Sequence, residues 1–489
     1  MILLTTKVET FKNYIGGKFT DSVSNQTFES VNPANKKEVV GIFQASTEED
    51  VQAAIESASN AFPAWVKTAP SKRAAILNKA ASILEERVEQ LAEELTREEG
   101  KIIGASKKEV LRSAQTLRYY AVEGQSFTGE TFPQDDPNMT VSTLREPLGV
   151  ISVITPWNFP ISIPARKIAP ALITGNTVIF KPSSETPLIA YRLVEALHEA
   201  GLPEGVLNFV TGSSSQIGHS LVTHPAIRAV TFTGSTGAGK AIDQATSLTT
   251  RTQMELGGKN PLVVMDDADV EQAATLTING GFSLTGQACT GTSRVIVMKE
   301  VKDKYVQALV EKTKALKIGD GFEEGVILGP LANEKQLNNV LNYVQIGKDE
   351  GAKLVYGGNQ LTGDSYDNGY FVEPAIFTDV NPSMRIAQEE IFGPVVAVIE
   401  VDSYEEAVQV ANDVEYGLSA SIVTNNIKLA HQFTKESQAG TVKVNRTTTG
   451  NLINAPFGGV KMSSTSTFRE SGRAGLEFFT QVKTVYVGY

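Results

Sequence analysis

Between Ser71 and Glu99, apolar side chains recur at Leu77, Ala80, Ala81, Leu84, Val88, Leu91 and Leu95, the three-and-four spacing of one helical face. Helices are also predicted over Glu48–Trp65, where Ser46-Thr47 offers an N-cap ahead of acidic residues, and over Lys107–Tyr120. Residues 11–45 read as short strands and turns. From Gly149 the pattern changes. Short apolar runs now alternate with helical stretches: Val150–Ile154, Thr177–Lys181, Val206–Val210, Ala229–Thr233 and Pro261–Met265, then Val295–Met298, Val395–Val401 and Ser419–Val423. Helices are predicted over Pro187–Ala200, closed by Gly201 and Pro203, and over Lys302–Leu316, Glu334–Glu350 and Tyr404–Val414. Strands alternating with helices predict an α/β fold with parallel sheets. Residues 124–146 instead alternate polar and apolar side chains without a core partner, as a protruding hairpin does. The tail from Glu477 to Gly488 has strand composition and is expected to pair with that hairpin.

At 489 residues the chain exceeds one hydrophobic core and predicts two or three domains. Its 41% hydrophobic and 20% charged residues are those of an ordinary globular protein. A net charge of −11 and a pI near 5.2 argue against nucleic acid or an anionic membrane as partner. One cysteine excludes an intrachain disulfide framework, and four scattered histidines show no metal-ligand spacing, so no metal is expected. The start, Met1 to Asn13, has a short apolar patch, Ile2-Leu3-Leu4, but no basic region and long apolar run of a signal peptide. No run approaches the roughly 20 residues that span a bilayer. A cytoplasmic location is expected.

The single cysteine stands in Gly286-Gln287-Ala288-Cys289-Thr290, among glycines and small polar residues and just before an apolar run. That context suits a side chain facing a cleft, where a thiolate can attack a carbonyl carbon. Four further segments could complete such a site. Thr155-Pro156-Trp157-Asn158-Phe159-Pro160 follows a predicted strand, and open α/β sheets bind ligands outside strand C-termini. Its alternative is an Asx-turn beside proline. Phe232-Thr233-Gly234-Ser235-Thr236-Gly237-Ala238-Gly239-Lys240 passes from strand through glycines to a helix, a seat for pyrophosphate. It also satisfies GxxxxGK, but Ala241 replaces the Ser/Thr of a P-loop, which leaves an NTPase as the different-class alternative. Glu255-Leu256-Gly257-Gly258-Lys259 offers a carboxylate base. Glu389-Glu390-Ile391-Phe392-Gly393-Pro394 offers a carboxylate for ribose hydroxyls and a ring. Each of these two, taken singly, also reads as a surface turn.

Together and in this order, TPWNFP, FTGSTxxG, ELGGKNP, GQxCT, EEIFGPV and PFGG (Pro456-Phe457-Gly458-Gly459) resemble the NAD(P)-dependent aldehyde dehydrogenase superfamily over nearly the whole chain. The resemblance implies two parallel-sheet α/β domains plus a β-ribbon oligomerisation arm. The cofactor domain is expected over 1–123 and 147–256, the catalytic domain over 257–440, and the arm over 124–146 and 470–489. It implies Cys289 as nucleophile, Asn158 and the Cys289 backbone N–H as oxyanion hole, and Glu255 as water-activating base, with Lys167 in the catalytic set. The cofactor, NAD or NADP, is expected on Thr155, Pro156, Trp157, Lys181, Ser183, Ser184, Gly212, Phe232, Gly234, Ser235, Leu256, Gly257, Glu390 and Phe392. The partners implied are a small-molecule aldehyde and further copies of the chain, as homodimer or homotetramer.

Two positions depart from the common family pattern. Ser184 stands where many NAD-preferring members carry a glutamate on the adenosine ribose, so NADP is expected to be accepted, although Glu185 is adjacent. Arg166 stands where many members carry tryptophan. With Ile163 and Phe159 it forms the expected substrate set, and a guanidinium there suits a substrate carboxylate. The alternative is an arginine paired with a structural acid. Asn445–Gly450, Phe468-Arg469-Glu470 and Glu477-Phe478-Phe479-Thr480 resemble 2-oxoglutarate semialdehyde (2,5-dioxopentanoate) dehydrogenases. The alternatives are a succinate semialdehyde or broad-specificity aldehyde dehydrogenase, a non-redox thioesterase or acyltransferase on the same cysteine, and a non-catalytic structural relative.

Overall fold

The computed structural model describes residues 8–465 and 467–489. The patch Ile2-Leu3-Leu4 lies outside them. Two seven-stranded sheets dominate. The first runs in the order Arg251–Glu255, Ile227–Thr233, Val150–Ile154, Thr177–Lys181, Leu207–Phe209, Asn13–Ile15, Lys18–Thr20. Its first five strands are parallel; the N-terminal hairpin closes the edge in the antiparallel sense. The second runs Lys353–Tyr356, Ala375–Thr378, Val395–Val401, Thr292–Met298, Asn260–Val264, Ser419–Val423, Thr441–Val444, and only the first of these is antiparallel.

Val150–Ile154, Thr177–Lys181, Asn260–Val264 and Ser419–Val423 are buried at every position. Strands covered by helices on both faces need unbroken apolar runs, which is why these were legible without alternation. Neighbouring residues feed opposite cores. Ile151, Val153, Val178 and Phe180 join one cluster, while Val150, Ile154, Ile179 and Val230 join another across the sheet. The second sheet divides in the same way.

The expected helix Ser71–Glu99 is two helices, Pro70–Glu86 and Val88–Glu99. Arg87 leaves helical geometry (φ −101°, ψ 14°) and its guanidinium grips both carboxylate oxygens of Glu199 at 2.8 and 2.7 Å. Leu77, Leu84, Leu91 and Leu95 still share one core, so spacing alone does not reveal the break. The third helix is longer than expected, Ile103–Glu123. The hairpin expected over 124–146 forms from Thr131–Phe132 and Met139–Pro147, and the tail pairs with it in register from Thr480↔Pro147 to Gly488↔Met139. Tail residues Ala474–Phe478 are helical, so the strand begins later than composition suggests. No helix among the described residues is long and apolar enough to cross a membrane.

Candidate active site

The functional segments fall on two facing edges. Thr155, Lys181, Thr233 and Glu255 lie at or just after the C-terminal ends of strands in the first sheet. Gly257–Lys259, Cys289 and Glu390 precede the N-terminal ends of strands in the second. Only residues 256–259 join the two sheets, between the strands Arg251–Glu255 and Asn260–Val264. ELGGK is therefore the link that brings the edges together.

Cys289 is half-buried, and its loop is pinned from several sides. Asn260 Nδ2 donates to the carbonyls of Cys289 (2.8 Å) and Gly291 (2.9 Å), and Thr448 Oγ1 donates to Thr290 O at 2.7 Å. Leu284 and Thr285 occupy left-handed backbone (φ 52° and 53°), a strain of order 1–3 kcal/mol each that surrounding contacts must hold. Thr285 Oγ1 donates to Gly329 O at 2.9 Å, and Gln287 Oε1 accepts Ala332 N–H at 2.9 Å. Burial, then the charges of Glu390 and Glu255, push the Cys289 thiol up to about 12.

Asn158 Nδ2 donates to Gln287 O at 2.9 Å, which ties TPWNFP to the cysteine loop and leaves the amide's second hydrogen for another acceptor. The backbone carbonyl of Asn158 accepts Lys101 Nζ at 2.8 Å. Glu255 is buried, and neither carboxylate oxygen has a hydrogen-bond partner. Burial, followed by repulsion from Glu470, raises its pKa well above the ordinary carboxylate value. Lys167 does not reach the open cavity. It donates to Thr231 Oγ1 at 2.8 Å and pairs with Glu470, with burial lowering its pKa and Glu470 raising it.

A cavity of about 360 Å³ receives Cys289, Glu255, Phe159, Ile163, Arg166 and Glu470 among its walls. All three expected substrate residues are there. Arg166 also realises part of the alternative reading: Nη1 reaches Glu470 Oε2 at 3.4 Å and the guanidinium lies 5.2 Å over the Phe457 ring. Spacing along the sequence missed Arg112, Lys108 and Glu470, which line the same cavity. Lys108 and Arg112 stand one helical turn apart, the only local signal available for them.

The strand order reverses between Val150–Ile154 and Ile227–Thr233, the place where open α/β sheets bind ligands beyond their strand C-termini. The helix Thr236–Ala245 begins there, with Ser235 Oγ accepting Ala238 N–H at 3.4 Å. A Cβ on Gly234 would lie 2.4 Å from the Phe232 ring, and one on Gly239 would lie 2.4 Å from Leu256, so Phe232 and Leu256 support this turn from below. Lys181 is buried with only Pro182 O as acceptor (3.1 Å), and burial lowers its pKa to about 8. Ser184 Oγ donates to Gly212 O at 3.0 Å, and Ser183 Oγ accepts Glu185 N–H at 3.2 Å while Glu185 itself is exposed. Gly258 N–H donates to Glu390 Oε1 at 3.0 Å, and burial raises that carboxylate to about 7. Phe392, in left-handed backbone (φ 58°), sets its ring edge-on to Trp157 at 5.4 Å, its carbonyl held by Gln336 Nε2 at 2.7 Å. Thr155 and Thr233 leave buried hydroxyls without partners. A helix N-terminus, a buried cation, orphaned hydroxyls and a half-buried carboxylate fit a nicotinamide dinucleotide.

The chain belongs to the aldehyde dehydrogenase family, which it matches over residues 19–485. It is an NAD(P)-dependent enzyme that oxidises an aldehyde to the acid. An alpha-ketoglutaric semialdehyde dehydrogenase of Bacillus subtilis is 47% identical over 99% of both chains. A 2,5-dioxopentanoate dehydrogenase of Saccharolobus solfataricus is 45% identical, covering 95% of this chain and 97% of the relative. Among solved structures, betaine aldehyde dehydrogenase of Staphylococcus aureus in complex with NAD+ superposes with a TM-score of 0.95 at 35% identity, covering 97% of this chain and 94% of that one. A 3,6-anhydro-L-galactose dehydrogenase in complex with NADP also gives 0.95 at 35% identity, over 98% and 100%. The P-loop reading of Gly234–Lys240 falls with this assignment.

Proposed function

We propose that the enzyme oxidises a carboxylate-bearing semialdehyde, such as 2-oxoglutarate semialdehyde, using Cys289, Asn158 and Glu255, and that it accepts NADP as well as NAD. One observation carries the reading: nucleophile, base and the Arg166 guanidinium line a single cavity. The named activities of the relatives from Bacillus subtilis and Saccharolobus solfataricus support the substrate class.

Cys289 Sγ gives its proton to Glu255 and adds to the aldehyde carbon, and the thiohemiacetal oxyanion takes a hydrogen bond from Asn158 Nδ2. Removing one such donor typically costs on the order of 10²–10³ in rate. Lys181 and the Ser235 turn would hold the adenosine and pyrophosphate of the dinucleotide and Glu390 its nicotinamide ribose, and the bound cofactor would supply the hydride acceptor. Glu255 gives the Cys289 proton up to solvent, with the charge of Glu470 holding it back and that of Lys167 easing its loss. It then takes a proton from water, whose oxygen attacks the Cys289 thioester and releases the acid. Both proton transfers need the carboxylate form of Glu255, whose pKa burial and Glu470 raise, so kcat/KM is expected to climb with pH as its carboxyl ionises.

For the second cofactor, the support is local. Ser184 brings no negative charge, Glu185 faces solvent and Lys181 is short of acceptors. The exposed edge strand Thr480–Gly488, with Val482, Tyr486 and Val487 uncovered, supports assembly into a homodimer or homotetramer through the arm. The lone cysteine suits a reducing compartment such as the cytoplasm.

An absorbance assay with an aldehyde panel and both cofactors tests these points. The semialdehyde acid is expected to exceed neutral aldehydes of equal length in kcat/KM by at least about tenfold. Cys289→Ala is expected to be inactive. NAD+ turnover more efficient than NADP+ by about a hundredfold or more would refute the cofactor reading.

A further inference from the structure

The cations on the cavity wall are not equally committed. Lys101 is spent on Glu109 (2.5 Å) and on Asn158 O. Arg166 shares its charge with Glu470. Arg112, by contrast, has no carboxylate partner among the described residues. Its Nη2 donates to the backbone carbonyl of Asn451 at 2.5 Å and to Asn451 Oδ1 at 3.4 Å, both neutral acceptors. It lies on the helix Ile103–Glu123, where Ala105, Lys108 and Arg112 form one stripe along the cavity. Lys108 is exposed, and Arg112 is half-buried.

Arg112 and Arg166 also stand close enough to repel. Burial, and next the charge of Arg166, lower the pKa of Arg112. Two guanidinium groups in a partly desolvated wall are costly without an anion between them; of the acids on that wall, Glu470 is already shared by Arg166 and Lys167 and Glu109 is paired with Lys101. The lining residues next to Arg112, Thr449, Gly450 and Asn451, supply no charge.

We propose that Arg112 is the specificity-determining residue of this enzyme, anchoring the distal carboxylate of the semialdehyde with Arg166 beside it. This rests on the carboxylate-bearing substrate proposed above. It moves the main anchor from Arg166, half-neutralised by Glu470, to a residue on another helix.

The test uses Arg112→Ala, Arg112→Gln (which keeps an amide donor for Asn451) and Arg112→Lys in the full chain. Melting temperature is followed as a check on folding. Two quantities are read: the acid-over-neutral ratio of kcat/KM, and the inhibition constant of glutarate, a carboxylate ligand that cannot react. Removing the charge is expected to lower the ratio and weaken glutarate about 10–100-fold, mainly through KM, with part of both restored by Arg112→Lys. Folded Ala and Gln variants that bind glutarate within about twofold of wild type would overturn the proposal, as would an equal loss for acid and neutral aldehydes. A wild-type enzyme indifferent to the carboxylate would remove the substrate reading instead. In that case the glutarate constant still decides whether Arg112 is the anion anchor.

Discussion

Glu255 shows how one residue can serve chemistry at the expense of stability. Its carboxyl is buried without a hydrogen-bond partner and faces Glu470, so the folded protein holds its proton to higher pH than the unfolded chain does. The stability linked to that proton is fully present below the ordinary value of 4.5 and is lost as pH rises through the elevated folded value. Glu255→Gln has no charge to bury. Its melting temperature is therefore expected to exceed that of wild type at pH 9, with the margin shrinking towards pH 4. The same variant also tests both proton transfers. With excess cofactor and aldehyde, Glu255→Gln is expected to slow the first release of reduced cofactor as well as steady turnover by about 10² or more, because it removes both the acceptor for the Cys289 proton and the base for water. Steady turnover at the wild-type rate would remove Glu255 as base. The role of this residue was visible in sequence only as a carboxylate before two glycines, a pattern that fits many surface turns. Its burial beside Glu470 arises from a contact across more than two hundred residues.

At the scale of elements, the strained turns explain why particular glycines sit at the site. Gly286 has φ +71°, and a Cβ there would lie 2.2 Å from the backbone carbonyl of Gly393. Gly286→Ala is expected to lose at least about 2 kcal/mol of stability by denaturant unfolding. Gly257 differs, since its missing Cβ leaves room for Glu390, whose Oε2 would be 2.2 Å away. Gly257→Ala should displace a flexible side chain rather than a backbone. We expect a KM for cofactor raised about tenfold, with melting changed by only a few degrees. A Gly257→Ala enzyme with unchanged cofactor affinity would show that Glu390 does not need that space. The buried strands were readable because burial on both faces demands continuous apolar residues. The division at Arg87 was not, because a small rotation there leaves leucine spacing in phase on both sides.

Across the whole molecule, the site exists because two sheets meet by opposite edges, C-terminal ends facing N-terminal ends across the link at residues 256–259. The three-stranded ribbon stands apart from both sheets, its outer strand Thr480–Gly488 bonded on one side only. A chain ending at Phe479 would bare the strand Met139–Pro147 along its length. It is expected to lose the assembly proposed above or to aggregate, read by light scattering against the full chain. An unchanged particle mass would rule out the ribbon as an assembly surface.

Strand and helix alternation, the nucleophile and the glycine turns were all written locally, because burial periodicity and turn geometry depend on neighbours a few residues away. The charge economy of the cavity was not. Arg166 and Glu470 are 304 residues apart, and Arg112 reaches Asn451 across 339. Which arginine is neutralised and which remains free for a substrate carboxylate depends on distances set when the two sheets close on each other, and spacing along a chain carries no record of those distances.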